Sequence, residues 1–152
     1  MLYRKAYDRL LEWKNQPRKK ALCIMGARQI GKTTIIRQFG KDQYDCFVEV
    51  NFITDTDAAK IFDGNLDANT VITGLTAYTR KPMSPGKTLV LLDEIQACPN
   101  ARTAIKFLVE DGRFDYIESG SLLGVRHKEV RSYPVGFEEP YQMYPMDLEE
   151  YL

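Results

Sequence analysis

Gly26-Ala27-Arg28-Gln29-Ile30-Gly31-Lys32-Thr33, preceded directly by the apolar run Ala21-Leu22-Cys23-Ile24-Met25, decides how this chain is read. The spacing is G-x-x-x-x-G-K-[ST], a loop built to cradle phosphate. Glycine lets the backbone take positive φ and approach an anion closely. Successive N–H groups then line a concave site at a helix N-terminus, where the dipole favours negative charge. In that reading the stretch from Gly26 to Thr34 holds a nucleotide, Lys32 reaches the β- and γ-phosphates, and the Thr33 hydroxyl binds Mg²⁺. At average composition the four fixed positions match by chance in about one chain in a few hundred of this length. The context the motif needs is also there: an apolar strand before it, and a helical stretch from Thr33 to Phe39 after it, with Gly40 as the expected stop.

The next informative stretch is Leu89-Val90-Leu91-Leu92-Asp93-Glu94. A buried strand would deliver Asp93 to its C-terminal end, where ligands bind in open α/β sheets. Asp93 there can hold Mg²⁺ through water, and Glu94 can polarise a water for attack on the γ-phosphate. Asp115–Ser119 reads as a further strand, with Ser119-Gly120-Ser121 at its end. A hydroxyl from Ser119 or Ser121 could bond the γ-phosphate or the attacking water. The same three residues would also make an ordinary turn.

Around these stretches the chain alternates strands with helical patterns, which argues for an α/β fold with a mostly parallel sheet. Residues 2–15 read as an amphipathic helix, with Tyr3, Tyr7, Leu10 and Leu11 on the buried stripe and Pro17 as the stop. Cys46–Phe52 is a second strand. Ala58–Phe62 and Val71–Tyr78 are expected helices on either side of a turn at Asp63-Gly64-Asn65. Pro99 opens a helix to about Glu110, with Ala104, Phe107 and Leu108 on one face. Val130–Glu139 reads as a loop or hairpin, and Tyr141–Tyr144 as a fifth strand.

Composition removes several classes. The chain has 152 residues, 44% hydrophobic and 28% charged, which suits a single ordinary globular domain. Lys+Arg and Asp+Glu both number 21, so net charge offers no attraction to nucleic acid or to an anionic membrane. The short run Arg18-Lys19-Lys20 is expected to be a solvated surface, with a local anion contact as the alternative. No stretch approaches the roughly 20 apolar residues of a bilayer span, and the charged N-terminus is not a secretory signal. Cys23, Cys46 and Cys98 are odd in number and widely spaced, which fits a reducing cytoplasm; Cys23 and Cys46 lie in apolar runs and are expected in the core. His127 is the one histidine, so a multi-histidine metal site is excluded.

With these residues in view, the chain resembles the bacterial and archaeal predicted AAA+ ATPases. The resemblance is carried by Gly26-Ala27-Arg28-Gln29 and the rest of the loop through Thr34, by Leu91-Leu92-Asp93-Glu94-Ile95-Gln96, by Ser119-Gly120-Ser121-Leu122-Leu123, and by Tyr144-Pro145-Met146-Asp147-Leu148-Glu149-Glu150-Tyr151-Leu152. Arg4–Lys14 looks like the family's leading helix. The resemblance implies a P-loop NTPase three-layer sandwich, its five-stranded sheet in the order 5-1-4-3-2. It also implies ATP and Mg²⁺ as cofactors, and sites shared between subunits of a homo-oligomer. Longer members add a helical lid and a C-terminal, often nuclease-like domain, so this stretch is expected to be the ATPase core alone. Where the family often carries a basic residue after Pro-Val-Gly, Phe137 follows Gly136. Arg126 and Arg131 are the remaining candidates for an arginine finger, against the plainer reading of both as solvated loop residues.

Three functions compete at this level. The first is an Mg²⁺-dependent ATPase core that drives movement in an attached or partner domain, and Glu94 favours it. The second is a low-turnover, nucleotide-dependent switch or interaction module. The third, a small-molecule kinase, is weakened by the lack of an arginine-rich lid.

Overall fold

The computed structural model describes residues 2–17, 19–26, 31–121 and 136–143, with backbone alone at 2–4, 121, 142 and 143. In chain order it forms helix α1 (Leu2–Lys14), strand β1 (Ala21–Gly26), α2 (Lys32–Gln43), β2 (Cys46–Asn51), α3 (Ala68–Thr79), β3 (Thr88–Asp93), α4 (Pro99–Asp111), β4 (Asp115–Ser121) and β5 (Glu138–Met143). Short 3-10 helices lie at Thr56–Phe62 and Ile95–Ala97. The sheet order is β2-β3-β4-β1-β5, and every neighbouring pair is parallel. Read from β5, that is the 5-1-4-3-2 order implied by the family resemblance.

Burial follows strand position. All six residues of β3 are buried, as a strand covered on both faces requires. At the edge, β2 buries Val48 and Val50 in alternation with less buried neighbours. β5 forms the other edge of the described sheet, which is where Pro140, lacking an N–H, is tolerated. On one face, Leu10 and Trp13 of α1 and Ile36 and Phe39 of α2 pack over Leu22, Ile24, Leu89, Leu91 and Ile117. On the other, α3 and α4 bring Val71, Leu75, Ala104 and Leu108 against Val50, Val90, Leu92 and Tyr116. The result is helix, sheet and helix in three layers.

Local chemistry sets the element ends. The Asp67 carboxylate accepts from the Thr70 N–H at 3.1 Å and opens α3. Pro99 stands in the first turn of α4, and Gly112, at φ 78°, closes it.

Several expectations need correction. Gly40 does not end its helix: α2 runs on to Gln43, and the glycine is there because a Cβ would collide with the Phe47 ring of β2. The buried stripe of α1 is Ala6, Leu10 and Trp13, with Tyr7 and Leu11 at its margins; the side chain of Tyr3 lies outside the described residues. On α4, Phe107 is 40% exposed; Ala101, Ala104, Ile105 and Leu108 face the core. The fifth strand starts at Glu138, inside the stretch expected to be loop, because pairing with β1 and not side-chain polarity selects it. Lys19 is not merely solvated: it donates to the Lys14 carbonyl at 2.9 Å and pairs with Asp115 at 3.1 Å. Cys98, like Cys23, is buried, Cys46 is half-buried, and all three are free thiols. No helix among the described residues is long and apolar enough to cross a membrane.

Candidate nucleotide site

The C-terminal ends of β1, β3 and β4 and the start of α2 converge on one place. β1 ends at Gly26, which pairs in register with Ser121 of β4. Ala27, Arg28, Gln29 and Ile30 lie outside the described residues, as do Arg126, Arg131 and the side chain of Ser121. The loop re-emerges at Gly31, whose φ of 77° is left-handed and whose Cβ position is open, so backbone conformation is what calls for glycine. Lys32 is then the first residue of α2. It is 6% exposed, and its ammonium donates to the Gly26 carbonyl at 3.3 Å.

Asp93, at the end of β3, is the centre of the site. Its Oδ2 accepts from Thr33 Oγ1 and from Asn51 Nδ2, each at 3.3 Å. Its Oδ1 accepts from Ser119 Oγ at 2.5 Å and from the Glu94 N–H at 2.9 Å. The two residues read from the sequence as metal ligands, Thr33 and Asp93, are thus in contact. A hydroxyl and a carboxylate are hard oxygen donors and fit Mg²⁺. Ser119 is fully buried and given over to Asp93.

Glu94 adopts left-handed backbone geometry, φ 55° and ψ 48°. For a residue with a Cβ this costs about 1–2 kcal/mol. The strain is held by the turn that follows, in which the Ala97 N–H donates to the Glu94 carbonyl at 3.0 Å. Gln96 Nε2 donates to Glu94 Oε1 at 2.9 Å. An open pocket of about 380 Å³ lies between these groups, lined by Gly31, Lys32, Thr33 and Thr34 on one side and Asn51, Asp93 and Glu94 on the other. Arg37 borders it and forms a two-point ion pair with Glu49, at 2.7 and 2.6 Å. A larger cavity, about 670 Å³, opens at the N-terminal ends of the strands, beside Tyr44 and Arg113. Gly31–Thr34, Asn51, Asp93 and Glu94 do not line it.

Asn51 was missed in the sequence, although a signal existed. It ends the second apolar strand in the position from which Asp93 was identified on the third, and the register pairs the two directly. Its Oδ1 also accepts from the N–H groups of Ile53 and Thr54, at 2.9 and 3.0 Å, which orients its amide toward Asp93.

A second polar cluster lies beneath α4. Cys23, Glu118 and Glu138 place candidate ligand atoms within 4.8 Å of one another. Arg102 bonds Glu138 through two nitrogens at 3.0 Å each and stands 4.0 Å from Glu118, so the cluster already contains its cation. Burial pushes the Glu118 carboxyl well above the usual carboxylate range, and the neighbouring Glu138 adds to the rise. As a carboxylate Glu118 meets no donor; as a neutral acid it can share its proton with Glu138. Burial first, then Glu118 and Glu138, push the Cys23 thiol up, away from the thiolate a metal would need.

A parallel sheet in this order, with a phosphate-loop sequence after β1 and paired acids at the end of β3, defines the P-loop nucleotide-binding class. Residues 18–152 match the family model described as AAA domain. The chain belongs to that family, a family of nucleotide-binding ATPase domains. No curated protein matches the chain. Among solved structures it is similar to the Aeropyrum pernix Orc1 protein in complex with DNA, with a TM-score of 0.54 at 15% identity. The match covers 92% of this chain and 44% of that one, so the chain spans less than half the length of Orc1. At that identity the likeness is one of fold.

Proposed function

We propose that this domain binds ATP with Mg²⁺ and hydrolyses it to ADP and phosphate, and that the turnover moves an attached or partner domain. The observation that carries the reading is the ring of donors around Asp93, from Thr33, Asn51, Ser119 and the Glu94 N–H, with the Glu94 carboxylate next to it. Lys32 and the loop N–H groups from Gly26 to Thr34 bind the phosphates. Thr33 and Asp93 would hold a magnesium ion, which would supply positive charge beside the phosphates. Glu94 takes a proton from the attacking water, whose oxygen bonds to the γ-phosphorus while ADP departs. Because Ser119 is engaged by Asp93, contact with the γ-phosphate is assigned to Ser121.

The test is phosphate release from ATP with and without Mg²⁺, beside fluorescent-nucleotide titration. Lys32→Ala should remove tight binding in a folded protein. Glu94→Gln should retain binding and lower turnover by about 10²-fold or more. Nucleotide binding with no turnover above the Glu94→Gln level would favour the switch reading, and transfer to an added acceptor the kinase reading.

A further inference from the structure

Gln96 stands on the 3-10 turn Ile95–Ala97, two residues after Glu94. One end of its amide, Nε2, donates to Glu94 Oε1 at 2.9 Å. The other end, Oε1, is buried and meets no donor. That end lies against β4 at Gly120: a Cβ added there would come within 2.5 Å of Gln96 Oε1. Gly120 is therefore the residue that makes room for the amide. Its neighbours in β4 are Ser119, which donates to Asp93, and Ser121, which pairs with Gly26 of the phosphate loop. The chemistry settles which end of the amide faces Glu94, since only the NH₂ end can donate to a carboxylate.

We infer that Gln96 is a positioning residue for Glu94: its amide holds the carboxylate of the base and is itself packed against β4 in the space left by Gly120. The inference rests on the hydrolytic role proposed above for Glu94. A glutamate has three side-chain torsions to restrain, and this one starts from a left-handed backbone on a short turn. Holding Oε1 leaves Oε2 as the oxygen that faces the water. Among the described residues no other side chain donates to this carboxylate. Leaving a buried amide oxygen without a donor is unfavourable, and an apolar side chain of the same length would avoid it. The retained amide is explained by the bond it makes to Glu94.

A double-mutant cycle on the protein tests this. Gln96→Met keeps length and volume but loses the donor. It should lower kcat by about 10- to 100-fold, the effect of a misplaced reacting group, with KM for ATP unchanged because the amide bonds Glu94, whereas the Lys32 ammonium bonds the Gly26 carbonyl. In a Glu94→Gln background the same change should cost nothing further, since Gln96 acts through the base. Gly120→Ala, which pushes a Cβ into the amide, should reproduce the loss in kcat. If thermal unfolding shows Gln96→Met to be unfolded, Gln96→Glu serves instead: it keeps the shape, and its charge repels Glu94. A wild-type kcat in Gln96→Met, or an equal drop in both backgrounds, overturns the positioning role alone. No turnover by the wild type overturns the hydrolytic reading, and this inference with it.

Discussion

Asp93 and Glu118 are buried acids on neighbouring strands, 3% and 0% exposed, and they have opposite surroundings. Asp93 ends β3 on the α2 side of the sheet and receives hydrogen bonds from Thr33, Asn51, Ser119 and the Glu94 N–H. Glu118 lies on the α4 side, receives none, and has the Arg102 guanidinium no closer than 4.0 Å. Burial alone therefore does not make an acid a ligand. Donors convert a buried carboxyl into a fixed pair of oxygens able to hold an ion; without them burial drives the group to its neutral form.

Four experiments can break or sharpen that contrast. The largest effect belongs to the donor-ringed acid: Asp93→Ala should cut ATP turnover by about 10³-fold or more in a phosphate-release assay, because the proposed magnesium and the ordered donors would lose their shared anchor. A variant within tenfold of wild type would remove Asp93 from the metal site. Next is the cation of the second cluster. Arg102→Ala leaves the half-buried Glu138 without its partner and should cost about 1.5–3 kcal/mol of stability in urea unfolding. A loss below about 1 kcal/mol would mean that water reaches the cluster and solvates it.

Smaller effects distinguish the roles of the neighbouring groups. Ser119→Ala deletes one donor to Asp93 and should lower stability by about 1 kcal/mol and turnover by about tenfold. An unchanged turnover would show that Thr33 and Asn51 suffice. Glu118→Gln should change stability least, within about 1 kcal/mol of wild type below pH 4.5, where the native residue carries its proton in the folded and the unfolded chain alike. The pH dependence carries the sign. The folded pKa of Glu118 is raised above the ordinary 4.5, so its contribution is fully present below pH 4.5 and is lost as pH rises through the folded value. Urea unfolding of both proteins across that range should show Glu118→Gln gaining on wild type as pH increases. A difference that stays flat would mean that Glu118 is ionised in the fold.

How much of this was legible beforehand depends on the distance between partners. The loop from Gly26 to Thr34, the paired acids Asp93 and Glu94, and the β3 run were readable because each uses residues adjacent in the chain. Gly40 was misread for the opposite reason. Locally it looks like a helix stop, but its role depends on Phe47 arriving from β2. Phe107 was misplaced because helical spacing gives a stripe without saying which of two adjacent stripes meets the sheet.

By itself the sequence determined the phosphate loop, the acids that follow the third apolar run, and the α/β alternation, since each is set by local backbone preference and by apolar periods of a few residues. Tertiary structure decided what surrounds those groups. Thr33, Asn51 and Ser119 lie 60, 42 and 26 residues from Asp93, and only the order β2-β3-β4-β1-β5, with its register, brings them to one carboxylate. The same order sets Cys23 between Glu118 and the edge strand that begins at Glu138, and α4 lays Arg102 across them. Hydrogen bonds and ion pairs act over a few ångströms in space, whatever the separation along the chain, so these partners become visible only once the strands are placed side by side.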